Sequence, residues 1–216
     1  MEGIQYNNLE IIILGAGGLA REIASWYNIG SSEDNRKIIG FMDENLEALN
    51  NYNIDQKIIG KIELDKVKKN QSVICAIADV NVKEKLFNEI IKSQISIFSF
   101  VHKSCFIGER TICGKGLVLL PYAVISCDCR IGDLVFINNG SQIGHDVNIG
   151  DFTSIMANVD IGGSAQIGKN VFIGSNAVIL PGVKIPDDTR IGAGAVVLKS
   201  IKNKGTYFGN PAKKIF

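Results

Sequence analysis

From Ile107 to Val197 an aliphatic residue returns at every sixth position. The beat passes through Cys113 and Leu119 and then falls on Ile at every step from Ile125 to Ile191. A helix repeats its apolar face every 3.6 residues and an ordinary strand every second residue, so a period of six fits neither. It fits a parallel β-helix, in which short strands separated by turns stack into a solenoid. Two residues before the beat stands a small or β-branched residue: Val135, Ser141, Val147, Thr153, Val159, Ala165, Val171, Ala177, Val183, Thr189 and Ala195. The large and small slots together can fill a narrow prism. Gly often follows the beat, as at Gly108, Gly132, Gly144 and Gly162, where a corner is expected to need a permissive backbone.

Composition narrows the function classes. With 23 Lys plus Arg against 22 Asp plus Glu, the formal charge is +1, without the basic footprint of a nucleic-acid binder. No charged n-region followed by an apolar run stands at the start of the sequence, and no apolar run approaches the roughly 18 residues of a membrane span. The five cysteines show no C-x-x-C spacing. Cys105, Cys113 and Cys129 fall on inward slots of the repeat, which predicts free buried thiols and a cytoplasmic protein.

The first hundred residues read differently. After a frayed lead-in from Met1 to Asn8, Leu9 to Leu14 is a short apolar run typical of a central parallel strand. Gly15-Ala16-Gly17-Gly18 breaks it, and Leu19 to Tyr27 reads as a helix with Leu19, Ile23, Trp26 and Tyr27 near one face. Strand, glycine turn and helix open a nucleotide-binding α/β unit, whose turn lets backbone N–H groups approach a phosphate. The pattern G-x-G-x-x-A is weak alone, and a turn that merely connects the two elements is its plain alternative. Ile38 to Met42 predicts a second strand ending at Asp43, where such folds hold a ribose or a base edge. Ile58-Ile59 predicts an edge strand, Leu64 to Lys69 a short helix and Val73 to Ala78 a third buried strand. Asp79 to Ser93 predicts a helix with Val82, Leu86, Ile90 and Ile91 inward, and Ile95 to Phe98 closes the sheet. The alternation gives a compact Rossmann-like domain. His102 marks the junction, the solenoid begins at about Cys105, and the beat stops after Lys199.

Only two histidines are present. His102, at the junction, reads as structural. His145 falls two places after the inward Ile143, at a corner facing outward, where no core needs it. If the prism has three sides, residues eighteen apart stack at roughly the 4.8 Å spacing of neighbouring strands. Cys127, His145 and Gly163 then form one column, and Asp128, Asp146 and Ser164 the next. Gly163 above His145 leaves room and an unobstructed N–H beside the imidazole, a place for an acyl oxygen. Asp146 or Asp128 could fix the ring tautomer. Asn138 and Asn139 have a bland reading, since Asn is common at turns that need left-handed geometry.

These motifs carry a resemblance. Gly15-Ala16-Gly17-Gly18, Met42-Asp43-Glu44, Val101-His102-Lys103-Ser104, Leu120-Pro121-Tyr122, Gly144-His145-Asp146 and Gly209-Asn210-Pro211-Ala212-Lys213 resemble the bacterial nucleotide-aminosugar N-acetyltransferases. That hexapeptide-repeat family also includes the sialic acid O-acetyltransferase-like proteins. The resemblance implies an α/β Rossmann-like domain holding a nucleotide sugar (residues 1–103), followed by a left-handed parallel β-helix (104–198). A C-terminal arm near CoA (199–216) completes the chain. It also implies a homotrimer with active sites between subunits, acetyl-CoA as donor, no metal, and a role in cell-surface glycan synthesis such as O-antigen or capsule.

By the same resemblance His145 is the general base, Asp146 assists it, and Asn138 is an active-site asparagine near the subunit interface. Gly163 supplies the backbone donor to the thioester carbonyl, and Ser175, Ala193, Asn210 and Pro211 line the CoA arm. Gly17, Gly18, Asp43 and Asp79 match the nucleotide end. A close branch has a second histidine near the acetyl group where this chain has Ser154, and a histidine in the glycine turn where it has Leu19. Both departures bear on the sugar, expected to be a 4-amino-4,6-dideoxy sugar, rather than on acyl transfer. An acyl-cysteine route through Cys127 ranks below direct transfer, and O-acetylation of a sugar hydroxyl is the nearest alternative activity. A dinucleotide-dependent oxidoreductase leaves the solenoid without a purpose. A carbonic anhydrase on this fold lacks the histidines for zinc, and a non-catalytic scaffold leaves His145 unexplained.

Overall fold

The protein was analysed as a computed structural model, which describes residues 10–30 and 36–216. The expected lead-in from Met1 to Asn8 lies outside the described residues. The chain forms two compact units, Met1–Ile77 with Lys85–Phe98 and Ala78–Glu84 with Ser99–Phe216.

The first unit holds β1 (Glu10–Leu14), α1 (Gly18–Gly30), β2 (Lys37–Met42), β3 (Ile58–Gly60), β4 (Gln71–Cys75) and β5 (Ser96–Ile97). They make a five-stranded parallel sheet in the order β3-β2-β1-β4-β5. The continuous apolar run of β1 has the physical reason expected of it: Ile11, Ile12, Ile13 and Leu14 are at most 1% exposed at the sheet centre. In α1 the buried stripe is Ala20, Ile23, Ala24 and Tyr27, with Leu19 and Trp26 at its margins. The segment from Leu64 is shorter than expected, a single 3-10 turn over Leu64–Lys66.

Helix α2 (Val80–Lys92) differs from its sequence reading. Its buried stripe is Val80, Lys83, Leu86 and Ile90, while Val82 and Ile91 are 48% and 43% exposed. Helical spacing set from Val80 puts Lys83, not Val82, on the covered face. A lysine there overrides the apolar pattern because its ammonium finds acceptors, as described below.

In the second unit the six-residue beat builds three sheets of eight, six and five strands, parallel except for the terminal strand of the eight, Lys213–Lys214. Strands eighteen residues apart pair in register, as Gln142–Ile143 does with Asp160–Ile161, so the prism has three sides. The first side carries Phe136–Ile137 and Ser154–Ile155, the second Gln142–Ile143, and the third Asn148–Ile149. The slots predicted to be inward form one continuous core: Ile143, Ile149, Ile155 and Ile161 with Ser141, Val147, Thr153 and Val159, all at most 3% exposed. Full burial of each isoleucine is worth about 1.5–3 kcal/mol.

The solenoid begins one strand before Cys105, at Phe100–Val101, which pairs with Val118–Leu119. Its first coil has no coil beneath it. Cys113 is therefore exposed and Cys105 half-buried, leaving only Cys129 of the three repeat cysteines buried. The segment after Lys199 is more than turns: Thr206–Phe208 pairs with the strand of Arg190 and Ile191, and Lys213–Lys214 folds back on it.

The corners correct one expectation. The glycines after the beat do not supply left-handed backbone. They allow coils to touch: a Cβ on Gly144 would lie 2.6 Å from the Gly163 nitrogen of the next coil. The left-handed residue is the one three places after the beat, including Arg110, Asp128, Asp146 and Ser164 with φ of 60°, 62°, 59° and 61°. On the Asn138-Asn139 corner that place belongs to Gly140, so left-handed tolerance does not explain either asparagine.

Candidate active site

His145 stands on the corner between the second and third sides. Its ring Nδ1 lies 2.7 Å from Asp146 Oδ2, and both side chains are more than half exposed, at 64% and 58%. Asp146 is the left-handed residue of that corner, a conformation that Asp tolerates. A carboxylate on Nδ1 keeps the proton there and leaves Nε2 as the acceptor. Gly163 on the coil above lies against the ring on its Nε2 side, where an added Cβ would sit 2.7 Å from Nε2 and 2.8 Å from Cε1. The Gly163 carbonyl accepts from Gly182 N at 2.9 Å, while among the described residues its N–H donates to no other group. An imidazole with a lone pair and a spare N–H therefore share one outer edge.

Asp128, the other acid weighed for the histidine, is taken. Arg110 grips it with two bonds, Nε to Oδ1 at 2.7 Å and a terminal nitrogen to Oδ2 at 2.8 Å. With the Arg110 bonds the chief cause and Cys127 contributing, its pKa falls to about 2.

The remaining expected residues divide. Asn138, Ser175 and Ala193 lie on the corner between the first and second sides, a full side away from His145. There Asn138 Oδ1 accepts from Asn139 N at 2.7 Å. Asn210 and Pro211 sit in the loop of the terminal hairpin. Pro211 lines a cavity of about 530 Å³ with Leu198, Lys199, Lys202, Tyr207 and Lys213. Lys199 belongs to the His145 column, three coils above it, or roughly 14 Å at the usual strand spacing.

Ser154, expected from the resemblance to contact the CoA end beside the acetyl group, is turned into the solenoid unit instead. It is 0% exposed, and its hydroxyl donates to Ala78 O and accepts from Lys83 Nζ, both at 2.8 Å. Lys83 also donates to Leu134 O at 3.0 Å and Thr153 O at 3.1 Å. The serine and the buried lysine thus anchor the start of α2 within the solenoid unit.

In the N-terminal unit, Gly17 and Gly18 are exposed where α1 begins. The Asp43 carboxylate accepts from Ala16 N at 2.6 Å and Asn45 N at 2.8 Å, so it braces the glycine turn. The glycine whose conformation the turn requires is Gly15, with φ of 101°. Asp79 caps α2 through Asn81 N and Val82 N, at 3.0 and 3.2 Å. His102 is structural: Ser104 N–H donates to its Nδ1 at 3.2 Å and Ser104 Oγ lies 2.8 Å from it, itself accepting from Tyr122 N. Burial holds the His102 pKa below its ordinary value. Sequence reasoning missed Lys83, Arg110 and the lysine-lined cavity. Of these Arg110 was findable, since it stands eighteen residues before Asp128.

No group of His, Cys, Asp and Glu among the described residues is arranged to hold a metal, and no described helix is long and apolar enough to cross a membrane.

Known proteins share this architecture. Residues 10–90 match the PglD N-terminal domain family, and residues 146–180 and 164–199 match the bacterial transferase hexapeptide family. The acetyltransferase domain of PglB from Neisseria gonorrhoeae superposes with a TM-score of 0.87 at 21% identity, covering 96% of this chain and 100% of that one. A histidine-to-alanine mutant of GDP-perosamine N-acetyl transferase from Caulobacter crescentus, solved with CoA and GDP-perosamine, gives 0.86 at 24%, over 94% and 95%. WeeI from Acinetobacter baumannii gives 0.63 at 21%, over 95% and 99%. At these identities the superpositions establish the fold, and the family models mark the N-terminal domain and the repeats. The chain carries a PglD-type N-terminal domain followed by bacterial transferase hexapeptide repeats.

Proposed function

We propose that the protein transfers the acetyl group of acetyl-CoA to the amine of a nucleotide-linked 4-amino-4,6-dideoxy sugar, directly and with His145 as general base. The observation that carries this reading is the His145 corner: a carboxylate on Nδ1 and Gly163 packed against the Nε2 side of the ring. As the neutral amine attacks the thioester carbonyl, Nε2 takes its proton, Asp146 stabilises the imidazolium, and the Gly163 N–H receives the developing oxyanion. The proton then goes to the departing CoA thiolate. Relatives support the choice of ligands: the PglB domain was solved with acetyl coenzyme A and the Caulobacter enzyme with CoA and GDP-perosamine.

The donor would run up the His145 edge past Leu180 and Pro181, with its phosphates at Lys199, Lys202 and Lys213 of the upper cavity. Gly17, Gly18 and Asp43 of the N-terminal unit would take the nucleotide. Two candidate groups flank the second side, His145 and Gly163 on one edge and Asn138, Ser175 and Ala193 on the other. A cyclic homotrimer would bring one edge of each copy against the opposite edge of the next, completing the site from two chains. Such an enzyme would work in the cytoplasm, on precursors of cell-surface glycans.

The test is CoA-thiol release from acetyl-CoA with nucleotide-linked 4-amino, 3-amino and non-aminated sugars. Turnover is expected with the 4-amino acceptors. Release with a hydroxyl sugar at equal or greater kcat/KM would overturn N-acetylation.

A further inference from the structure

Four left-handed corner residues stack in one column on the active edge: Arg110, Asp128, Asp146 and Ser164. Sharing that conformation, their side chains leave the corner in the same direction, about 4.8 Å apart. Two carboxylates one coil apart therefore stand beside the single imidazole of His145. Left alone, Asp128 would compete with Asp146 for the Nδ1 proton. Its charge would also favour the imidazolium, which cannot act as a base.

We propose that Arg110 is a positioning residue for acyl transfer, clamping Asp128 so that His145 pairs with Asp146 alone. The guanidinium approaches from the coil below and fills both Asp128 oxygens, at 2.7 and 2.8 Å, while Asp146 keeps its 2.7 Å contact with Nδ1. Such a fork fixes direction as well as charge, which an ammonium would not. The bond is exposed, with Arg110 at 63%, and exposed ion pairs add little stability, so fold maintenance is a poor reason for it.

The other groups facing the ring do not duplicate this role. On its own coil stands Asp146, and below it Cys127 and Asp128, then Glu109 and Arg110. Gly163, Ser164, Pro181 and Gly182 above carry no charge. The flanking strands present Gln142 and Asp160 on the second side, and Asn148 and Arg130 on the third. Glu109 touches Arg110 at 3.3 Å but is 89% exposed.

This inference rests on His145 being the base. Its test is the pH profile of kcat/KM at low ionic strength for wild type, R110A, R110K, D128N and R110A/D128N. In R110A the acid limb moves to higher pH by a few tenths to about one unit, and 0.5 M salt, roughly, shrinks the shift. Removing the unclamped carboxylate in R110A/D128N returns the limb to its wild-type position, and R110K shifts it less than R110A. A merely structural role would lower kcat without moving the limb. An unmoved limb in R110A, or a shift that D128N does not cancel, overturns the proposal. The underlying reading fails separately, through an H145A variant that turns over like wild type.

Discussion

Gly163→Ala adds one methyl group where the geometry allows it least. Its Cβ would meet His145 Nε2 at 2.7 Å, Cε1 at 2.8 Å and Cδ2 at 3.1 Å. Unstrained contacts of this kind need about 3.5 Å, so the ring must retreat by close to 1 Å. The Gly163 backbone is outside the left-handed region, so alanine itself is tolerated there. The imidazole is 64% exposed and held by one contact to Asp146, so displacing it costs less than about 1 kcal/mol of stability. Catalysis responds far more, because a misplacement of about 1 Å can cost around 100-fold. G163A should therefore lose roughly 100-fold in kcat/KM for CoA-thiol release, while Tm falls by no more than about 2–4 °C. In an H145A background the same substitution should leave Tm unchanged, since the clashing ring is gone. Near wild-type kcat/KM in G163A would refute the reasoning. So would a Tm penalty that persists without the histidine.

Two further outcomes follow from buried polar groups. Lys83→Met keeps the packed stem but strips Leu134 O, Thr153 O and Ser154 Oγ of their shared donor. Thr153 O retains Phe136 N and Ser154 still donates to Ala78 O, so about 2–4 kcal/mol should be lost in a denaturant titration; a loss below about 1 kcal/mol contradicts the anchor. The His102 pKa is lowered by burial, so the unfolded chain binds its proton first. Its stability contribution is complete above the unfolded value of about 6.5 and is lost as pH falls toward the folded one. Tm should drop more between about pH 7.5 and 5.5 in wild type than in H102N, and equal drops would remove His102 as the cause.

The solenoid was legible because its period marks the inward slots along the whole run, while the number of sides came from the resemblance and was settled by the pairing of strands eighteen residues apart. The His145–Gly163 stack followed from that spacing once three sides were assumed. Legibility ended where one side chain overrode a pattern. Lys83 takes a covered helical position that hydropathy assigns to Val82, because carbonyl acceptors brought from residues 134 and 153 are invisible in a local window. The burial of Ser154 was hidden for the same reason, since a slot that often faces outward is covered by that lysine. The corner glycines after the beat were noticed but misread: coil-to-coil contact selects them, and the left-handed place three residues after the beat is held most often by Asp, Asn or Ser. The division of the candidate residues between two edges needed the order of the sides, which a period of six does not supply.

Acetyl transfer by the H145A variant bears most directly on the whole account. With CoA binding retained, kcat should fall by about 100-fold to 10,000-fold, the range attached to a positioned general base. Undiminished turnover would contradict the assignment of His145 and with it the reading of this edge as the catalytic one.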